Sequence, residues 1–407
     1  MGDARGSGSD QTKDRYLLIS ADTHAGANHE TYREYLDPAY RDEFDAWRDR
    51  YKNPFRDLHG KKRDQNWDDE RRWNEQESDG TAAEVIFPNT VPPFFPTGAV
   101  IARPPTADEY ELRHAGIHAH NRWLADFCAS APERRAGVGQ IFLNDVDDAI
   151  ADLHFIKEHG LRGGALLPGR PDDSELPPLY DPVYDPLWSA CEDLDVPLTH
   201  HSGQGAPDYG KYSFSMFLWV AETSWFSHRP LAHFIIGGVF ERHPRLKFVM
   251  TEQGCAWIPP LLHGLDAFHV QMSAGRIGEI NYAEDQVLPM KPSEYFARNC
   301  FVGVSFPSPA EAKAMHKVGL DRVMWGSDYP HHESTYPHTT EGLRVAFAGW
   351  DTNDVRQVTS RTAAEVYDFD LAALALIAER VGPLVAEVAQ PLHEMPADSG
   401  SPAFQGR

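Results

Sequence analysis

Eight short apolar runs, each separated from the next by an amphipathic segment, constrain this chain more than any other feature. They are YLLISADTH (16–24), AEVIFPN (83–89), RAGVGQIFLN (135–144), LRGGALLPG (161–169), VPLTHHSG (196–203), LKFVMTEQG (246–254), FVGVSF (301–306) and VMWGSDYP (323–330). Several hold consecutive apolar residues and no clean alternation, as strands covered on both faces do. The spacers ELRHAGIHAHNRWLADFCAS (111–130), DVDDAIADLHFIKEHG (145–160) and SPAEAKAMHKVG (308–319) read as helices. In the second, Ala149, Ile150, Leu153 and Ile156 recur at helical spacing and Gly160 stands where the helix should end. Eight strands with helices between them predict an α/β chain, a (β/α)8 TIM barrel, with a doubly wound sheet as the alternative.

The expected domain plan is one barrel over 15–370 between Gly/Ser-rich tails, 1–14 and 393–407, both expected to be disordered. Two segments exceed ordinary barrel loops: 25–82 after the first strand and 88–110 after the second, the latter rich in Pro and aromatics. Both follow strand ends and are expected over the mouth of the barrel. An extra C-terminal helix, 371–392, is expected on the barrel exterior or against another subunit.

Composition excludes several classes. With 38 basic against 61 acidic residues the net charge is −23, which opposes nucleic acid and anionic membranes as partners. Four separated cysteines, Cys128, Cys191, Cys255 and Cys300, contain no C-x-x-C pair, and no zinc ribbon or disulfide framework is expected. No run approaches the ~20 apolar residues of a membrane span, and MGDARGSGSDQTKDR has no signal-like core, so a cytoplasmic protein is expected. Neither a phosphate-binding glycine loop nor a G-x-S-x-G nucleophile elbow occurs.

Chemistry is therefore sought at the strand ends, which converge in a barrel. The first ends Asp22-Thr23-His24, whose i, i+2 spacing puts a carboxylate and an imidazole on one face, a pair suited to a divalent metal. The fifth ends His200-His201, of which only one can face the axis. The sixth carries Glu252, and the eighth Asp328 followed by His331 and His332. His114, His118, His154, His159, His233 and His263 fall in helical segments and read as surface or packing residues.

The spaced set ISADTH, VPLTHHSG, GGVFERHPRLKFVMTEQG and MWGSDYPHHE resembles the amidohydrolase superfamily, in its amidohydrolase-related branch, over about residues 16–370. That branch includes aminocarboxymuconate-semialdehyde and resorcylate decarboxylases. The resemblance implies Asp22, His24, His201 and Asp328 as ligands of one divalent ion, zinc first and manganese second. It implies Asp328 as the proton shuttle; Glu252 or His331 is expected to assist, and His331 and His332, which directly follow SDYP, are expected against the substrate. His200 is then left to packing. Where the well-studied decarboxylases carry a catalytic histidine after strand 6, this chain has Glu252. The expected activity is accordingly hydrolysis of a C–N or C–O bond in a small cyclic or aromatic molecule. Non-oxidative decarboxylation is the alternative and a non-catalytic binding barrel the second alternative. A homo-oligomer, most simply a dimer, is also implied.

Overall fold

The computed structural model describes residues 14–51 and 63–405. Eight parallel strands form one sheet: β1 (Leu18–Ala25), β2 (Thr81–Pro88), β3 (Arg135–Gln140), β4 (Gly164–Leu166), β5 (Leu198–His201), β6 (Phe248–Thr251), β7 (Cys300–Ser305) and β8 (Val323–Gly326). They pair in sequence order. The ends meet where Thr23 bridges Tyr329, with Asp328 N–H donating to the Asp22 carbonyl (2.9 Å) and His24 N–H to that of Tyr329 (2.7 Å). The expected (β/α)8 barrel is thus the observed fold.

Both faces of each strand are buried, which explains the unalternating runs. Ile19, Ala21, Ala83, Val85, Ala136, Val138, Val249 and Met324 join one apolar cluster within the ring. Leu18, Ile86, Leu198, Phe248, Val302 and Trp325 join a larger one beneath the helices. Burying Leu or Ile in this way contributes roughly 1.5–3 kcal/mol per side chain.

The predicted helices form with their caps. Val146–Glu158 starts on Asp145, whose carboxylate accepts from the N–H groups of Asp147 and Asp148. Ala107–Ala129 starts in a Thr106/Glu109 capping box. The insertion after β1 contains helices His29–Tyr35, Arg41–Arg50 and Asp69–Ser78, while the stretch after β2 runs as turns to residue 106.

The C-terminal part differs from expectation. Gly382 and Pro383 end the helix after Leu371–Val381, and only a short turn, Val385–Val388, follows. Leu374 and Ala378 pack with Leu17, at the entry to β1, in the interior cluster. The helix closes the base of the barrel instead of lying free on its outside. The segment from 393 to 405 is not a loose tail. Its Ala403 and Phe404 are buried, because an apolar pair here finds the helix Thr339–Phe347, and Asp398 accepts from His338 (2.9 Å). Of the expected N-terminal tail only Asp14 lies within the described residues. No helix among the described residues is long and apolar enough to cross a membrane.

Candidate active site

The C-terminal ends of β1, β5, β6 and β8 bring five of the expected side chains to one point. Asp22 and His24 project from β1, with His24 Nε2 3.4 Å from Asp22 Oδ1 and 3.3 Å from Asp328 Oδ1. His201 Nε2, from the end of β5, is 3.4 Å from the same Asp22 oxygen, and its Nδ1 lies 3.5 Å from Glu252 Oε2. Asp22, His24, His201 and Asp328 are all buried. His331 sits one turn beyond Asp328, with its Nδ1 2.8 Å from Asp328 Oδ1 and its Nε2 3.1 Å from Asn89 Oδ1.

Local backbone geometry turns these groups inward. Asp328 and Glu252 take left-handed backbone angles, φ 63° and 59°, an uncommon conformation for residues other than glycine. Gly203 at φ 88° turns the chain immediately after His201, and the room its missing side chain leaves is bounded by Ile101. His200 points the other way, against Gln253, as alternation along β5 requires. Burial pushes its imidazole down to about 3, and it stays neutral.

The electrostatics fit a cation-binding shell. Burial alone would raise Asp22, yet His201 and His24 hold it well below the carboxylate range. Asp328 is likewise lowered against the effect of burial, chiefly by His331 and His24. Burial would lower His331, but Asp328 and then Glu252 bring it up to about 10. Burial and the charge of Asp328 push Glu252 up to about 8. Asp328 Oδ2 is buried with no hydrogen-bond partner, and His24 Nε2 meets the two carboxylates only at 3.3–3.4 Å, outside good hydrogen-bond geometry. Leaving such atoms bare is costly in a protein interior. Asp22, His24 and His201 present three ligand atoms within 4.8 Å of one another, as do His24, Asp328 and His331. Two carboxylates and two or three imidazoles are a donor set for zinc or manganese.

Above the shell opens a cavity of about 450 Å³. Its apolar wall is Val100 and Ile101 from the second insertion and Trp219 and Val220 from the helix Ser215–Ile236. The polar lining includes Asn89, Ser202, Thr223, Glu252, His331 and Glu333, and no lysine or arginine borders it among the described residues. His332, expected against the substrate, is exposed and lies beside Gly400 in the C-terminal segment. It follows His331 directly, and only one of the two can turn toward the cavity.

Sequence reading missed Asn89, Ser305 and the Trp219/Val220 wall. Ser305, at the end of β7, donates to Asp22 Oδ2. Its position at a strand end was the available signal, but a lone serine there carries no chemistry of its own. Trp219 and Val220 are in a helix, where an apolar residue reads as core.

A family model described as Amidohydrolase matches residues 23–369. Among curated proteins, the gamma-resorcylate decarboxylase of Rhizobium sp. (strain MTP-10005) is 26% identical over 220 residues, 52% of this chain and 64% of that protein. The one from Rhodococcus jostii (strain RHA1) is 29% identical over 227 residues, with the same shares covered. The matched region thus spans less than two thirds of those relatives' length. Among solved structures, 5-carboxyvanillate decarboxylase from Sphingomonas paucimobilis superposes with a TM-score of 0.64 at 20% identity, covering 87% of this chain and 100% of that one. A 5-carboxyvanillate decarboxylase from Novosphingobium aromaticivorans, solved with manganese, gives 0.63 at 21% identity, covering 89% and 98%. At such identities the likeness carries the fold.

Proposed function

The chain belongs to the amidohydrolase family, and on that premise we propose that it is a metal-dependent, non-oxidative decarboxylase of a small aromatic carboxylic acid. One observation carries the metal: Asp328 Oδ2 is buried without a hydrogen-bond partner in a shell where Asp22, His24 and His201, and His24, Asp328 and His331, each bring three ligand atoms within 4.8 Å. Asp22, His24, His201 and Asp328 would hold the ion. Manganese is the first choice, because a structural neighbour is solved with it, and zinc the second. When bound, the ion would supply Lewis-acid stabilisation of negative charge on the substrate. The curated relatives, both decarboxylases, favour this reaction over the hydrolysis expected from the sequence.

The chain's own residues supply the rest. Val100, Ile101, Trp219 and Val220 receive a flat apolar ring and exclude water from its face. Glu333 adds an acidic group at the cavity rim, and His331 is the basic side chain in the lining. Asp328 and His331, 2.8 Å apart, share a proton beside the reacting ring. As the ring–carboxylate bond breaks, its electron pair stays on the ring carbon and takes that proton, and carbon dioxide leaves.

Hydrolysis is the second reading, favoured by Glu252, which stands 3.5 Å from His201 and could accept a proton from water. Product analysis with mono-carboxylated hydroxybenzoates separates the two. Decarboxylation releases carbon dioxide, places one solvent deuterium on the ring in heavy water and incorporates no solvent oxygen into the aromatic product, the one whose oxygen content is diagnostic. Solvent oxygen in the product would defeat it.

The proposal includes a homodimer. Phe217, Val220 and Trp225 are exposed along Ser215–Ile236 and Phe214 just before it, an apolar face continuous with the cavity through Val220. Sedimentation should give twice the chain mass, and Phe217→Glu should shift it toward one. A monomeric parent would remove this part.

A further inference from the structure

A second group of metal-ligating side chains lies outside the barrel, on helices that play no part in the central site. His114 and His118 are four residues apart on Ala107–Ala129, so both imidazoles leave the same face one turn apart. Their ring centroids are 4.1 Å apart. Asp152, on the neighbouring helix Val146–Glu158, is buried between them. Its Oδ2 lies 3.1 Å from His114 Nε2, and its Oδ1 lies 2.7 Å from His118 Nε2. The three ligand atoms fall within 4.8 Å of one another.

We propose that His114, His118 and Asp152 form a second cation site, for zinc, that clips these two helices together.

Three features of the geometry carry the assignment. The two imidazole–carboxylate separations, 3.1 and 2.7 Å, reach different oxygens of Asp152 and are shorter than the ~3.3 Å edge of a tetrahedron with bonds of 2.0–2.1 Å, so the side chains must open by about half an ångström to admit the ion. His114 is held from behind. Its Nδ1 faces Asp148 Oδ2 at 3.8 Å, Tyr110 OH donates to that same oxygen at 2.7 Å, and the Tyr110 ring stacks on the imidazole. A carboxylate on the far nitrogen directs the near one toward a metal. Asp145, Asp147 and Asp148 stand at the start of the second helix, with Asp152 about one turn further along, and no lysine or arginine is paired with any of them among the described residues. Two imidazoles and one carboxylate leave a fourth position for water, and the 36% exposure of the His118 side chain gives the ion a way in.

The helix that carries the histidines follows the segment that supplies Val100 and Ile101 to the active cavity. Zinc here would fix the base of that segment without touching substrate. Its role would be that of a structural clip.

The test is zinc titration of the full chain against a chromophoric chelator, for the parent and for His118→Ala, with thermal melts in parallel. His118→Ala should bind one equivalent fewer than the parent and lose a zinc-dependent rise in Tm of a few degrees. Without zinc it should melt somewhat below the parent, because the buried Asp152 loses its 2.7 Å partner, and added zinc should leave that value unchanged. Asp152→Asn, which keeps the shape but removes the charge, should weaken the same equivalent at least about tenfold. Equal zinc stoichiometry in parent and His118→Ala would overturn the proposal. The result is independent of the central site: one equivalent in the parent and none in His118→Ala would support the outer site and count against the inner one.

Discussion

Two clusters of buried charge lie within one strand's length of each other, and they are built in opposite ways. Glu84, on β2, is fully buried and saturated. It accepts from Arg72 Nη2 (2.6 Å), Gln76 Nε2 (2.9 Å), Thr23 Oγ1 (2.9 Å) and Arg135 Nε (3.3 Å). Arg72 also donates to the carbonyls of His24 (2.8 Å) and Gln65 (3.0 Å), tying the first insertion to the end of β1. At the barrel mouth, two carboxylates and two imidazoles crowd together, with Asp328 Oδ2 unpartnered and Asp328 in a left-handed backbone conformation. A charge cluster that only holds the fold can complete its own hydrogen bonds. One that must receive something leaves atoms open and strain unrelieved.

The largest effect should come from breaking the saturated cluster. Glu84→Gln leaves Arg72 buried without its counter-charge, while Arg135 keeps Asp69 (2.6 Å), and should cost about 3–5 kcal/mol in chemical denaturation. Burial would raise Glu84, but Arg72 and then Arg135 hold it down to about 2. Its contribution is therefore present above the unfolded-chain value of about 4.3 and is lost as pH falls from there toward 2. The parent should lose stability over that window, and the variant's acid limb should be shallower. An unchanged limb would mean that the cluster is not what it looks like.

Next in size is Asp328→Asn at the open cluster. Turnover should fall at least about 100-fold, the scale for removing an acid/base group. The stability change should be well below that of Glu84→Gln, because no saturated network is broken. If the two substitutions cost the same in denaturation, the contrast between the clusters fails.

The same contrast explains what could be read from the sequence. Alternation along β1 makes Asp22 and His24 legible as a pair on one face, whereas His201 over His200, and Asp328 as a ligand, are legible only through the family resemblance. Glu84, Arg72 and Arg135 gave no such signal. Arg72 lies in the first insertion, where a charged residue reads as solvated, and its burial depends on a helix folding back over β2. Asn89 and Ser305 meet the site only through partners 242 and 283 residues away in the chain. The base of the barrel was misread for a related reason. An amphipathic helix over 371–392 shows that it has an apolar face, but not whether that face covers the outside of the barrel or its end. His332 was drawn in by proximity to His331, although adjacent residues seldom face the same way.

The smallest effect concerns Glu252, the one residue of the open cluster that departs from the pattern of the decarboxylases it resembles. Its φ of 59° is a conformation that asparagine adopts far more readily than glutamate. Glu252→Asn should therefore relieve backbone strain and stabilise the protein by about 0.5–1 kcal/mol. If Glu252 takes part in proton transfer, the same substitution lowers turnover. A variant both more stable and slower would show that strain at the mouth is kept for function. One that is more stable and equally fast would leave Glu252 a bystander and assign proton transfer to Asp328 and His331. A loss of stability would mean that the side chain's place beside His201 outweighs the backbone term, and that the mouth is more nearly saturated than its unpartnered atom indicates.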